Sequence, residues 1–254
     1  MKKTESIKST ETTMKFPNYN RYKLTQKLKT TIAFNVCLFT LPLLSVHVVC
    51  DTKQDSTYEK RPHVLLIGDS ISIGYTSEVK KRLHEIAHVK RIDGNAASTV
   101  NGLRKIDSWL IGKSFDIIHF NWGLHDIAYR SENSSHKNKL DKLNGKKKVA
   151  IDNYRSNLKN LVDRLKKTGA LLIWASTTVV PDDEPGRFPQ DVVAYNAVAS
   201  VIMQNNEIIT NDLYSLSKSF NSEMFVAPRN VHFSKQGSSV LGTKVAKAIE
   251  RQIQ

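Results

Sequence analysis

Cysteine is the scarcest chemistry-bearing residue in this chain of 254: there are two, Cys37 and Cys50. Both precede the region that reads as globular, so the fold uses no disulfide and no cysteine-based metal site there. The eight histidines include no metal-ligand spacing such as H-E-x-x-H. No metal and no cofactor is therefore expected. No internal repeat is visible, and the length suits one sizeable α/β domain with appendages.

Acidic residues are also in short supply, 24 against 38 Lys and Arg, for a formal charge of +14. The total has the look of a nucleic-acid binder, but the distribution argues otherwise. Residues 1–30 hold eight Lys/Arg against two acids, and His136–Lys148 holds six lysines against one Asp. Neither run has interleaved aromatics. A solvated tail and a surface loop account for them, with an anionic polysaccharide or a membrane surface serving as well as nucleic acid for a partner. No nucleic-acid partner is expected.

One long apolar run exists, Thr30–Val49, about the length that spans a bilayer. Arg21, Lys23, Lys27 and Lys29 precede it, and Asp51 and Asp55 follow. This is the charge asymmetry of a signal peptide or an N-terminal anchor. Asn35, Pro42 and His47 weigh against a permanent span, and the bulky Val48 and Val49 against a lipoprotein site at Cys50. The expected organisation is a basic tail (1–29), a signal peptide or membrane anchor (30–50), a polar linker (51–61) and one domain (62–254). The product would be exported: periplasmic, extracellular or tethered to a membrane that the N-terminal segment contacts.

Beyond Pro62, strands and helices alternate. His63–Ile67, Val89–Ile92, Phe115–Phe120, Ala170–Ser176 and Ile208–Thr210 read as strands. Ile73–Val89, Val100–Leu110, Val149–Thr168, Val192–Asn205 and Ser239–Gln252 read as helices, and Gly169 stops the third. Residues 127–148 read as a long polar insert. Such alternation predicts a mainly parallel sheet of about five strands in a three-layer α/β/α sandwich. Sites in such sheets gather at the carboxyl ends of strands. That directs attention to Asp69 and Ser70, Gly94–Thr99, Asn121–Asp126 and Thr177–Pro181.

Each of these has an ordinary reading. Ser70, in GDSIS at a strand-to-helix turn, can cap the helix, as can Asp69; equally, its hydroxyl can face solvent as a nucleophile. His232, in a loop before the last helix, is a base that can fold back over the sheet edge. Asn95–Thr99 and Asn121–Asp126 can supply hydrogen-bond donors to a developing oxyanion. Trp174 and Trp109 read as core, Trp122 as a wall or a sugar platform, and Asp182–Glu184 as a solvated acidic turn.

Four segments in order resemble the SGNH (GDSL-type) hydrolase superfamily over residues 63–250. Gly68–Ile71 resembles its first block, Asn95–Ala97 the second, Gly123–Asp126 the third, and Val231–Phe233 with Gly237 the end of the fifth. The resemblance implies a flavodoxin-like sheet and a carboxylic ester hydrolase with Ser70 as nucleophile and His232 as base. It implies an oxyanion hole from the Ser70 and Ala97 N–H groups and a donor at His125, with Asp69, Asn95, Gly123, Asp126 and Asn230 in support. The string IHFNWGLHD is similar to a subgroup found beside polysaccharide-degrading enzymes, which implies an acetylated glycan as ester substrate. Three positions depart from the superfamily: Ala97 stands where Gly is usual, His125 where Asn is usual, and Arg229 where the Asp of Asp-x-x-His would sit. A backbone carbonyl, Asn230 or the remote Asp212 is then left to orient His232. The departures also admit a catalytically impaired glycan-binding protein, and a lipase or small-ester esterase is the nearest rival substrate class.

Overall fold

In this computed structural model, residues 61–132 and 139–253 are described. The basic tail, the apolar segment with Cys37 and Cys50, and the linker up to residue 60 lie outside the described residues. Short apolar runs become strands: β1 (His63–Ile67), β2 (His88–Arg91), β3 (Ile117–Phe120), the two-residue β4 (Tyr129–Arg130) and β5 (Lys146–Lys147), β6 (Leu171–Ala175) and β7 (Ile209–Asn211). Five of them form a parallel sheet in the order β2-β1-β3-β6-β7. Leu66 of β1 pairs with Arg91 on one side and His119 on the other, and Phe120 pairs with Trp174. Val64–Ile67 and all of β3 are buried, as central strands covered on both faces must be. This is the flavodoxin-like order, and the expected fold class holds. The order reverses between β1 and β3, so a crevice opens at their carboxyl ends.

The helices are α1 (Ser70–Leu83), α2 (Thr99–Leu110), α3 (Ile151–Lys166), α4 (Pro189–Asn205), the short α5 (Leu213–Lys218) and α6 (Lys235–Glu250). On α3 the expected stripe of Tyr154, Leu158, Leu161, Val162 and Leu165 is buried. Helix α2 packs on α3, α3 on α4, and α1 on α6. The α1–α6 approach is close: a β-carbon on Gly242 would lie 2.9 Å from the Tyr75 carbonyl oxygen. The segment just before α6 is thereby carried to the start of α1.

Helix ends differ from the periodic reading, and the caps explain why. Helix α1 begins at Ser70 rather than Ile73 because the Asp69 side chain accepts from the Ile71 N–H at 3.0 Å. Helix α4 begins at Pro189, whose fixed φ suits a first helical position. Helix α6 begins at Lys235, capped by Ser234 on the Gly237 N–H. Apolar spacing marks only the buried turns of a helix, whereas capping residues set its start.

The polar insert has structure of its own. Strands β4 and β5 pair antiparallel, Tyr129 with Lys147 and Arg130 with Lys146. The ribbon is tied to the loop before α4 and to the first turn of that helix: the Tyr129 N–H donates to the Gly186 carbonyl at 2.7 Å, Tyr129 meets Phe188 edge to face, and Lys147 pairs with Asp191 at 2.6 Å.

Candidate active site

Ser70 is the first residue of α1, directly beyond β1, and His232 lies three residues before α6. Because α1 and α6 pack side by side, the two side chains meet: Ser70 Oγ is 2.9 Å from His232 Nε2. On the far side of the ring, Nδ1 is 2.8 Å from Asn230 Oδ1. The same oxygen accepts the His232 main-chain N–H at 2.9 Å. A main-chain N–H can bond an oxygen but not an amide NH₂, which fixes the direction of the Asn230 amide. Nδ1 therefore carries the proton, and Nε2 presents its lone pair to the serine hydroxyl. An asparagine would hold the wrong tautomer if its NH₂ faced the ring; here the backbone donor prevents that.

Arg229 turns away from the histidine. It sits at φ +61°, and its Nε donates to the Asp183 carbonyl at 2.9 Å, with Asp183 Oδ2 at 3.6 Å. Asp212 is committed elsewhere: it caps α5 by accepting from the Ser215 N–H at 3.0 Å, and it accepts the Ser176 hydroxyl at 2.9 Å. Of the three candidates for orienting His232, the structure brings Asn230 to the ring.

The second and third blocks form the floor and wall. The Ala96 N–H donates to the Gly68 carbonyl at 3.1 Å, which fastens the second-block loop to the turn that holds Ser70. Ala97 adopts φ +52°, a left-handed conformation that costs a non-glycine residue about 1–2 kcal/mol. Its N–H does not point into open space: it donates to Asn95 Oδ1 at 2.8 Å. The donor expected to face an oxyanion is thus engaged within its own turn. Asp126 links the third block to the second. It accepts the Thr99 N–H at 2.9 Å and the Thr99 hydroxyl at 2.5 Å, and so caps α2 from another loop. Burial pushes its carboxyl up to about 7, against the downward pull of those Thr99 bonds.

Gly123 is where the chain passes closest to a neighbour, since a β-carbon there would lie 2.0 Å from Thr177 Oγ1. Glycine lets the loop tuck under and places His125 in the same pocket as Ser70 and His232. Burial, with Arg187, Arg130 and His232, holds the His125 ring below the ordinary imidazole value, although Asp69 pulls the other way. A neutral imidazole keeps one N–H donor. Asp69 itself acts as the cap of α1; its Oδ2 is buried with no hydrogen-bond partner among the described residues.

The pocket, of about 320 Å³, also holds residues that no motif announced. Arg187 is 5% exposed and Glu184 2%. They pair at 2.7 Å, with Glu184 Oε2 accepting the Gly186 N–H and Arg187 Nε donating to the Leu124 carbonyl. The acidic turn expected to be solvated therefore buries one of its three carboxylates. Only the acid–base spacing of Glu184 and Arg187 hinted at this, and that spacing is common on surfaces. Arg91, at the end of β2, braces the Ser70 turn through the Gly68 carbonyl at 3.1 Å and the Ser72 hydroxyl at 3.0 Å. Trp122 is fully buried beneath Gly102, so it is core and offers no sugar platform. Among the described residues no group of three or more His, Cys, Asp or Glu converges as metal ligands would.

No family model and no curated relative matches the sequence. Solved structures do match in fold. A lipase/acylhydrolase from Enterococcus faecalis superposes with a TM-score of 0.61 at 17% identity, covering 75% of this chain and 96% of that one. An acetyl xylan esterase gives 0.59 at 14%, covering 74% and 99%. A GDSL-like lipase from Bacteroides thetaiotaomicron gives 0.58 at 18%, covering 76% and 90%. The chain has the SGNH hydrolase fold. Within that fold, the turn that holds Ser70 follows β1 and His232 lies just before the last helix.

Proposed function

We propose that this chain is a serine carboxylic ester hydrolase that removes acetyl groups from carbohydrate outside the cytoplasm. The observation that carries the hydrolase reading is the relay Ser70 Oγ–His232 Nε2–Nδ1–Asn230 Oδ1, with both contacts under 3 Å. Nε2 takes the hydroxyl proton as Oγ attacks the ester carbonyl. The tetrahedral oxyanion is held by the Ser70 N–H, at the positive end of α1, and by the neutral His125 ring. Collapse breaks the bond to the alcohol oxygen, which leaves with the proton from Nε2. Water then attacks the acyl-serine by the same proton path and releases the acid. The Ala97 N–H joins the hole once the Asn95 side chain releases it.

The acetyl and glycan assignments draw support from the acetyl xylan esterases among the structural neighbours. Export draws support from the apolar segment Thr30–Val49 behind its basic flank. Ser70→Ala is expected to abolish p-nitrophenyl acetate hydrolysis and labelling by a fluorophosphonate. His232→Ala is expected to lower kcat by at least ~10³-fold. A wild-type chain that binds acetylated glycan yet resists the fluorophosphonate would replace the enzyme with a binding protein. Acetate release from a panel of acetylated glycans, and N-terminal sequencing of the mature protein, test the substrate and the export.

A further inference from the structure

His125 is the oxyanion donor of the proposed mechanism that is a side chain, so its ring must be held at one angle to serve. It stands on a tight turn in which the Asp126 and Ile127 N–H groups both donate to the Gly123 carbonyl. The Leu124 carbonyl is not used by those two bonds. That oxygen shares one rigid peptide plane with the His125 nitrogen, so fixing the oxygen fixes the plane from which His125 departs. Arg187 does this: its Nε donates to the Leu124 oxygen at 2.7 Å. The guanidinium is pinned in turn. Its Nη1 donates to Glu184 Oε1 at 2.7 Å, and Glu184 Oε2 accepts the Gly186 N–H at 2.8 Å. Leu124, Glu184 and Arg187 are all buried.

The loop that carries this clamp has its own footing on the polar insert. The Lys142 N–H donates to the Pro185 carbonyl at 2.9 Å, and Lys142 Nζ to the Asp182 carbonyl at 2.8 Å. An ion pair buried this deeply gains little over apolar residues of equal volume, so stability alone does not account for it. A planar fork held at one nitrogen is, by contrast, well suited to aim another N–H at a single carbonyl. We infer that Arg187, locked by Glu184, is a positioning residue for the reaction: through the Leu124 carbonyl it sets the His125 ring at the oxyanion. The insert, which seats the clamp loop, thereby becomes part of the catalytic framework. This rests on the esterase reading and adds to it a requirement far from the motifs.

The test is a cycle of variants on p-nitrophenyl acetate. Glu184→Leu combined with Arg187→Met removes the clamp without leaving a buried charge unpaired, an exchange often near neutral for stability. This pair is expected to lose at least about tenfold in kcat, part of the roughly 10²–10³-fold carried by one oxyanion donor. KM is expected to stay within about threefold, as for an interaction made only in the transition state. In a His125→Ala background the same pair is expected to cost nothing further, because the clamp acts through that ring. Unchanged kcat in the folded pair overturns the proposal. So does an equal loss in both backgrounds, which would make the clamp a support of the fold alone. If circular dichroism shows that the pair does not fold, Arg187→Lys takes its place in the cycle: it keeps the charge but not the fork, and its loss must likewise vanish with His125→Ala. A wild-type chain that cleaves no ester overturns the esterase reading and this inference with it. An active wild type with an indifferent variant overturns the clamp alone.

Discussion

Two asparagines decide how well this site can work. Asn230 accepts a main-chain and a ring N–H on one oxygen, so it fixes the tautomer of His232 but brings no negative charge to the imidazolium formed during attack. Asn230→Asp should therefore raise kcat, and Asn230→Ala should lower it by about tenfold or more as the ring loses its anchor. Steady-state rates on p-nitrophenyl acetate check both, and an Asp variant slower than wild type would mean that the charge disturbs the loop. Asn95 occupies the Ala97 N–H. One oxyanion donor is worth about 10²–10³-fold in kcat, so Asn95→Ala should accelerate the reaction if that N–H then turns to the substrate. A fall in rate would show that the Asn95 bond is needed to keep the loop in shape. Ser70 and His232 were marked in the sequence because each lies in a short motif at a predicted strand or helix end, whereas Asn230 was one of three candidates beside the histidine and only the structure brings it to the ring. The engaged state of Ala97 was not marked, since one side-chain bond two residues back decides it.

At the scale of elements, the strands of the sheet were readable because buried strands leave apolar runs, whereas their order was implied by the resemblance alone. The β4–β5 ribbon was not readable: its strands are two residues each and made of Tyr, Arg and Lys, so no period exists to detect. Helix α5, six residues long, is likewise too short to show one. The third-block loop is where element packing bears on chemistry. Thr177 Oγ1 both accepts from Asn121 Nδ2 at 3.2 Å and lies 3.4 Å from the Trp122 carbonyl, so it has little room to yield. Gly123→Ala would drive a methyl into it. The expected loss is about 1–3 kcal/mol of stability, with a lower kcat as His125 shifts. Adding Thr177→Ala should restore part of both. Urea unfolding of the two single variants and the double variant measures the coupling; strictly additive losses would mean that the two residues do not meet.

For the whole molecule, two buried groups set opposing demands on protons. Burial pushes Asp126 from 3.8 up to about 7 and His119, in the centre of β3, from 6.5 down to about 3. Between those limits the folded chain holds a proton on Asp126 and none on His119. The unfolded chain holds one on His119 and none on Asp126. The counts are equal, so these two groups together leave stability flat from about pH 4 to about pH 6.5. Removing either exposes the other. In Asp126→Asn, whose amide oxygen can still accept from Thr99, the unfolded chain binds the extra proton. Stability should then rise with pH by up to about 1.4 kcal/mol per unit, fully present above 6.5 and lost as pH falls towards about 3. In His119→Gln, which keeps a polar partner for Asn211, the folded chain binds the extra proton. Stability should fall by a similar slope as pH rises from 3.8 to about 7. Urea midpoints for the three chains at about pH 4.5, 5.5 and 6.5 would show a level line between two of opposite slope. Three parallel lines would mean that neither group changes its proton affinity on folding, and that the Asp126 cap on α2 is an ordinary carboxylate at every pH.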